Sequence, residues 1–231
     1  MEINRLPKVL VPIKIEQGNR QDTLTGILFK YGQDQHYLVT VKACIPNPPH
    51  ITFTIPTLAF HEQKYTRATV RHQYAGNKYD TDRNDLIAIR IDSCLDSIYK
   101  NKCEVAADWI GAEDLIDPDR CENIMDVLCV GYPNLLWDQA NHYPLIEPGI
   151  TTTPLQFRYD GEPKFLVSGN SHHNNFGSAV FALHEGTYKF AGILNKNQQF
   201  YYRNTSSANS GLIEAIPSME LDTLLSHFKL L

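Results

Sequence analysis

The sequence predicts an all-β chain in which two β-modules are joined by a link and followed by one C-terminal helix. Three observations carry that expectation. Short runs rich in β-branched and aromatic residues recur along the 231 residues, separated by Gly, Pro, Asn and Asp. Residues 93–126 are charged, contain Asp-Pro and lack a long strand pattern, as a link would. Residues 217–230 place Met219, Leu221, Leu224, Leu225 and Phe228 at helical spacing. Many strands at short intervals with a terminal helix point to a sandwich or a barrel.

Taken in order, strands are expected at 8–15, 25–30, 37–41, 50–54, 86–91, 127–132, 164–167, 178–183 and 188–194. Asp34-Gln35 after Gly32, and His184-Glu185-Gly186, read as hairpin turns. Residues 106–115 read as one or two helical turns inside the link. No internal repeat or low-complexity tract interrupts the pattern.

Composition narrows the function classes. A chain of this length buries a core without staples, and 42% hydrophobic with 20% charged residues is the balance of a soluble globular protein. The net charge of −5, with no run of Lys or Arg, argues against nucleic acid as a partner. No apolar run reaches the roughly 18–20 residues that span a bilayer. The opening MEINRLPKVLVPIKIEQ has neither an apolar core nor a cleavage signature. The expectation is a cytoplasmic protein that does not engage membranes. Five cysteines, an odd number without a C-x-x-C pair, read as buried thiols of a reducing compartment. Asn204-Thr205-Ser206 matches a glycosylation sequon, which carries no weight without a secretory signal.

The chemistry lies in three signposts. Tyr37-Leu38-Val39-Thr40-Val41-Lys42-Ala43-Cys44 follows Leu24-Thr25-Gly26-Ile27-Leu28-Phe29. Asn84-Asp85-Leu86-Ile87-Ala88-Ile89-Arg90-Ile91 comes second. The third is the longest. It begins at Asp126-Val127-Leu128-Cys129-Val130-Gly131-Tyr132-Pro133-Asn134 and continues through Leu136-Trp137-Asp138, Asn141, Pro144-Leu145 and Gly149-Ile150-Thr151. It then runs through Asp160-Gly161-Glu162-Pro163-Lys164-Phe165-Leu166-Val167 to Phe176-Gly177-Ser178-Ala179-Val180-Phe181.

In that order these segments resemble the bacterial trypsin-like serine peptidases, over most of the second half and parts of the first. The resemblance implies the chymotrypsin fold: two antiparallel β-barrels with a C-terminal helix and no cofactor. Its expected boundaries are an N-terminal barrel at about 1–105, a connector at about 106–125, a C-terminal barrel at about 126–215 and a helix at about 217–230. The reaction of that family needs a serine, a histidine to take its proton, an acid to orient the histidine, and N–H donors for the oxyanion. The resemblance places those side chains at Ala43, Asp85 and Phe176. Alanine accepts no proton and phenylalanine is no nucleophile, so the expected catalytic set is not intact.

Around the nucleophile position Asn174 stands for the usual glycine, Asn175 precedes Phe176, and Ala179 replaces a proline. The oxyanion-equivalent positions are Asn174 and Phe176, and Asn is less free than Gly to turn its N–H into that hole. Glu147-Pro148 sits where the family usually shows a basic residue. Asn170, Asn195 and Asn197 fall where the family builds its specificity pocket, a candidate cleft for a peptide or protein segment. Phe176 either fills the space left by the missing imidazole and hydroxymethyl or protrudes as an anchor for a partner, and filling is favoured. Asp85, without a histidine, is expected to find backbone or hydroxyl donors, Thr40 among them.

Competing readings are weaker. Ser171 with His172 or His173 could form a rearranged hydrolase site, yet the following strand would be displaced and Ala43 would still supply no base. Adjacent His172 and His173 on a loop do not make a metal site, since no Cys or Asp lies at ligand spacing. Cys44, one residue from the histidine position, should face the core because neighbouring strand residues point to opposite faces. The sequence therefore predicts a catalytically inactive homologue that acts by binding.

Overall fold

The structure is a computed structural model that describes residues 1–17, 20–32, 34–42, 50–59, 64–73, 85–133, 137–169, 175–202 and 205–228. The all-β expectation holds: two β-modules are followed by a terminal helix. The first is an antiparallel sheet of β1 (Leu10–Gln17), β2 (Arg20–Tyr31), β3 (Gln35–Val41), β4 (His50–Ala59), β5 (Lys64–Gln73), β6 (Leu86–Arg90) and β7 (Cys103–Val105). Its order is β5-β4-β1-β2-β3-β6, with β7 added on β4. The second is a closed barrel of β8 (Asp126–Gly131), β9 (Leu145–Thr151), β10 (Phe165–Gly169), β11 (Ala179–His184), β12 (Thr187–Tyr202) and β13 (Thr205–Pro217). Its strands close in the order β10-β13-β12-β11-β8-β9.

All nine expected strands are present, and among the described residues four more stand beside them. β5, β7, β9 and β13 escape the alternation rule because they are short, half-exposed or polar over much of their length. The hairpin between β11 and β12 turns at Glu185 (φ 48) and Gly186 (φ 76). Two successive left-handed residues match the twist of the flanking strands, which is why a Gly is placed there.

Strand alternation sorts side chains into three cores. Ile27 and Phe29 of β2, Val39 and Val41 of β3, and Leu86 and Ala88 of β6 face a cluster shared with the barrel. Their neighbours Leu28, Leu38, Ile87 and Ile89 face a second cluster on the other side of the sheet. Both faces are covered, so β3 and β6 read as near-continuous apolar runs. In the barrel, Ala179 and Phe181 join the shared cluster, while Val180 and Ala182 line the interior. On β12 the shared face is taken by Phe190 and then Ile193, an odd step that breaks period two. The register shift opposite Val180 and Phe181 leaves Ala191 as a bulge and restores the parity.

The region read as a link is more structured than its composition suggests. α1 (Asp92–Lys100) covers the first sheet with Leu95 and Ile98. A two-residue apolar face on a helix this short gives little periodic signal. Within 106–115 a single 3-10 turn forms at Ala112–Asp114. The link also ties the modules together: Ile110 exchanges backbone bonds with Leu28 and Lys30 at 2.9 and 2.8 Å, and Ile116 donates to Phe190 at 3.0 Å. α2 (Met219–Phe228) falls where its periodicity places it, with Leu221, Leu224 and Leu225 buried against the shared cluster.

Candidate functional site

The site grows from the ends of β3 and β6. These strands pair from Tyr37–Arg90 to Val41–Leu86, and the Lys42 N–H extends the ladder to the carbonyl of Asp85. Asp85 is exposed. Its Oδ2 accepts a hydrogen bond from Asn195 Nδ2 at 2.9 Å. Asn195 belongs to β12 and is 5% exposed, so the pair spans the two modules. The donor is thus not Thr40, whose hydroxyl instead donates to the carbonyl of Thr25 at 2.8 Å. Thr40 is fully buried and bonds within its own sheet, whereas an exposed carboxylate can draw on water for its remaining lone pairs. The other amide atom of Asn195, Oδ1, is buried with no partner among the described residues.

The segment 175–178 presses on β2 from the barrel side. Ser178 is fully buried, and its hydroxyl donates to Asn175 Oδ1. Its oxygen lies 3.2 Å from Thr25 Oγ1. Since the Ser178 proton goes to Asn175, the Thr25 hydroxyl donates to Ser178. Thr25 Oγ1 in turn accepts the Tyr132 N–H at 2.8 Å, and Asn175 Nδ2 donates to Glu147 Oε2 at 3.3 Å. A directed chain therefore runs from Tyr132 through Thr25 and Ser178 to Asn175, and Asn175 caps Glu147. Glu147 also lies near Cys129, whose thiol is pushed up to about 12 by burial and by that charge.

Phe176 is half-buried and packs against both hydrophobic clusters of the first sheet. The packing of its ring against Ala43, which the filling reading expects, lies outside the described residues. Gly177 adopts φ 80, and a Cβ there would stand 2.6 Å from the Thr25 carbonyl and 2.7 Å from Thr40 Oγ1. Its N–H donates to the Leu194 carbonyl at 2.8 Å. The backbone after Phe176 is thus clamped between β2 and β12, and only glycine fits both the space and the dihedral angle.

Of the residues singled out in the sequence, Asp85 and Asn195 come together, as do Phe176, Asn175 and Ser178. Asn197 lies on β12 opposite Ile213. Ala43, Cys44, Asn170, Ser171, His172, His173 and Asn174 lie outside the described residues. Thr25, Glu147 and Tyr132 were not anticipated as part of the site. The available signal was Thr25, a polar residue in an otherwise apolar strand core, which must find a partner once buried. Among the described residues no three His, Cys, Asp or Glu side chains group as a metal site would. No helix among them is long and apolar enough to cross a membrane.

No family model matches this chain, and no curated protein matches it. Solved structures do. An HtrA-type protease, AlgW with a tripeptide, superposes with a TM-score of 0.59 over 98% of this chain at 15% identity. This chain spans 62% of that protease's length. The catalytically active tobacco etch virus protease complexed with product gives a TM-score of 0.53 at 15% identity, covering 98% of this chain and 81% of the other. The active form of a protease from M. tuberculosis gives 0.55 at 12% identity, covering 97% and 82%. The fold is the chymotrypsin-like protease fold. Identities this low speak for the fold alone.

Proposed function

We propose that this chain is a catalytically inactive member of the chymotrypsin fold that acts by binding a peptide or protein segment, without a cofactor. The observation that carries the reading is Phe176. At the position the motif order assigns to the nucleophile, the side chain is an aromatic ring packed into the first sheet. A ring in that place offers no hydroxyl to attack a carbonyl. The nearest hydroxyl along the chain, Ser178, is fully buried and bonded to Asn175, which ties it into the fold. Asp85 holds an amide, Asn195, where the reaction would have it orient an imidazole. Ala43 in the sequence supports the same reading, since it has no group to serve as base.

The test is a panel of fluorogenic peptides and a serine-directed fluorophosphonate probe applied to purified protein. The expected result is neither turnover nor labelling above a heat-denatured control. Covalent labelling would overturn the proposal, and its loss in Ser171→Ala would assign the activity to a rearranged site at Ser171. Binding is tested separately by selecting a displayed peptide library against the protein. Enriched peptides should compete with one another for a single site, and their affinity should fall in Asn195→Ala.

A further inference from the structure

A second corner of the molecule carries chemistry that the protease-like cleft does not use. Where β1, β4 and β5 meet the turn between β8 and β9, a cavity of about 200 Å³ opens, lined by Pro7, Pro56, Pro144, Tyr132, Arg67 and His142 among others. Proline and tyrosine rings make its walls apolar, so its few polar groups decide what it can hold. His142 sits at φ 55, a left-handed conformation that a histidine adopts at a cost. Its Nδ1 is buried with no partner among the described residues. Trp137 Nε1 is in the same condition, and the two rings meet edge to face at 5.5 Å. Two such nitrogens together are unusual in a folded protein. Both are enclosed, so an occupant of the cavity meets the His142 ring and the Arg67 guanidinium that line it.

The charges facing His142 set the sign of that occupant. Arg67 approaches from β5, Lys14 from β1 and Asp138 from the same turn. Asp138 is engaged by the Asn141 backbone N–H at 3.0 Å and side-chain amide at 2.7 Å. Arg67 gives one N–H to the Asn141 carbonyl at 3.1 Å, and a guanidinium has five. Cationic donors thus predominate at the mouth, on a chain whose net charge is −5. We propose that this corner binds a small carboxylate with an apolar body, the carboxylate held by Arg67 beside His142 and the body laid against the proline and tyrosine rings. A bare inorganic anion would leave those rings uncovered, and a neutral apolar molecule would leave the guanidinium without its natural partner.

The carboxylate could belong to a free small acid or to a peptide C-terminus, and the experiment separates the two. The probes are benzoate, its neutral isostere benzamide, and the tripeptide Ala-Ala-Phe as free acid and as amide. The readout is the indole N–H resonance of Trp137 in ¹⁵N-labelled protein, assigned by its loss in Trp137→Phe. The expected result is a saturable shift with at least one acid, at least threefold weaker binding of its neutral counterpart, and a tenfold or greater loss for that acid in Arg67→Gln. Tighter binding of benzoate identifies the free acid as the source, and tighter binding of the tripeptide acid identifies a chain terminus. The proposal is overturned if no acid shifts the resonance, if acid and neutral counterpart differ by less than threefold, or if Arg67→Gln binds the acid within twofold of the unaltered protein.

Discussion

The segment around Phe176 and the corner around His142 treat their polar groups differently. At Phe176 each hydroxyl finds a partner: Tyr132 N–H, Thr25, Ser178 and Asn175 form one directed chain. The space beside it is taken by a ring and by a glycine clamped against β2. At His142 two ring nitrogens are buried without partners among the described residues, and a cavity lined by His142 stands open. Tyr132 belongs to both regions, its backbone N–H to the first and its hydroxyl to the second, where it is 3.3 Å from the His142 carbonyl. In a satisfied network the hydrogen bonds offset the cost of burial and rigidify what they join, whereas an unsatisfied group is retained against a penalty. The first region reads as structure, the second as a site.

The largest effect should come from breaking the satisfied side at its clamp. Gly177→Ala adds a Cβ against the Thr25 carbonyl at a positive φ, and should destabilise by about 3 kcal/mol or more. Urea denaturation followed by circular dichroism measures this, and an unchanged midpoint would show that the clamp yields. Next, Phe176→Ala removes a half-buried ring shared by two clusters, for an expected loss of about 2–3 kcal/mol. Phe176→Ser should lose a similar amount of stability and gain no peptidase activity, because a serine alone lacks its base. Measurable hydrolysis by that variant would mean that a base is present after all.

Ser178→Ala deletes the middle of the directed chain and strands Thr25 and Asn175, at a cost of about 1–3 kcal/mol. Combined with Thr25→Val it should cost less than the sum of the two single changes, since the partners share one network. Strict additivity in a double-mutant cycle would dissolve the chain into independent contacts. The smallest effect belongs to the other region. Burial, Arg67 and Lys14 hold the His142 pKa below its ordinary value near 6.5. The unfolded chain therefore binds the proton more readily, and the contribution of this group to stability is full above pH 6.5 and lost as pH falls below it. In His142→Phe that part of the pH dependence of the denaturation midpoint should vanish, and a persistent slope between pH 6.5 and 5.5 would assign it elsewhere.

Much of this molecule was legible from local pattern. Runs of β-branched and aromatic residues found β1 to β4, β6 and the strands that carry Phe181 and Phe190, including β3 and β6, which are apolar on both faces and so lack a period of two. That pattern missed β5, the three-residue β7, β9, whose Pro148 and half-exposed side chains blur the period, and β13, whose first half is polar. It read α1 as link because a short helix with Leu95 and Ile98 as its buried contacts scarcely differs from a charged loop. The site was legible in part. Chain order pointed to Asp85 and Phe176, but nothing local could pair Asp85 with Asn195, 110 residues away. The expected donor Thr40 was near in sequence, and β3 turned it toward β2 instead.

By itself the sequence determined which residue types stand at positions 43 and 176, and so which chemistry those two side chains can offer. A phenylalanine and an alanine have no proton to exchange in any fold. It also determined the alternation that makes sheets, since that is dictated residue by residue. Tertiary structure decided which polar groups were answered and which were not, because burial is a property of the assembled chain. Ser178 and Asn175 share one segment and Thr25 belongs to another, so Ser178 and Thr25 meet only once the barrel docks on the sheet. The same docking left the nitrogens of Trp137 and His142 enclosed and without a partner among the described residues.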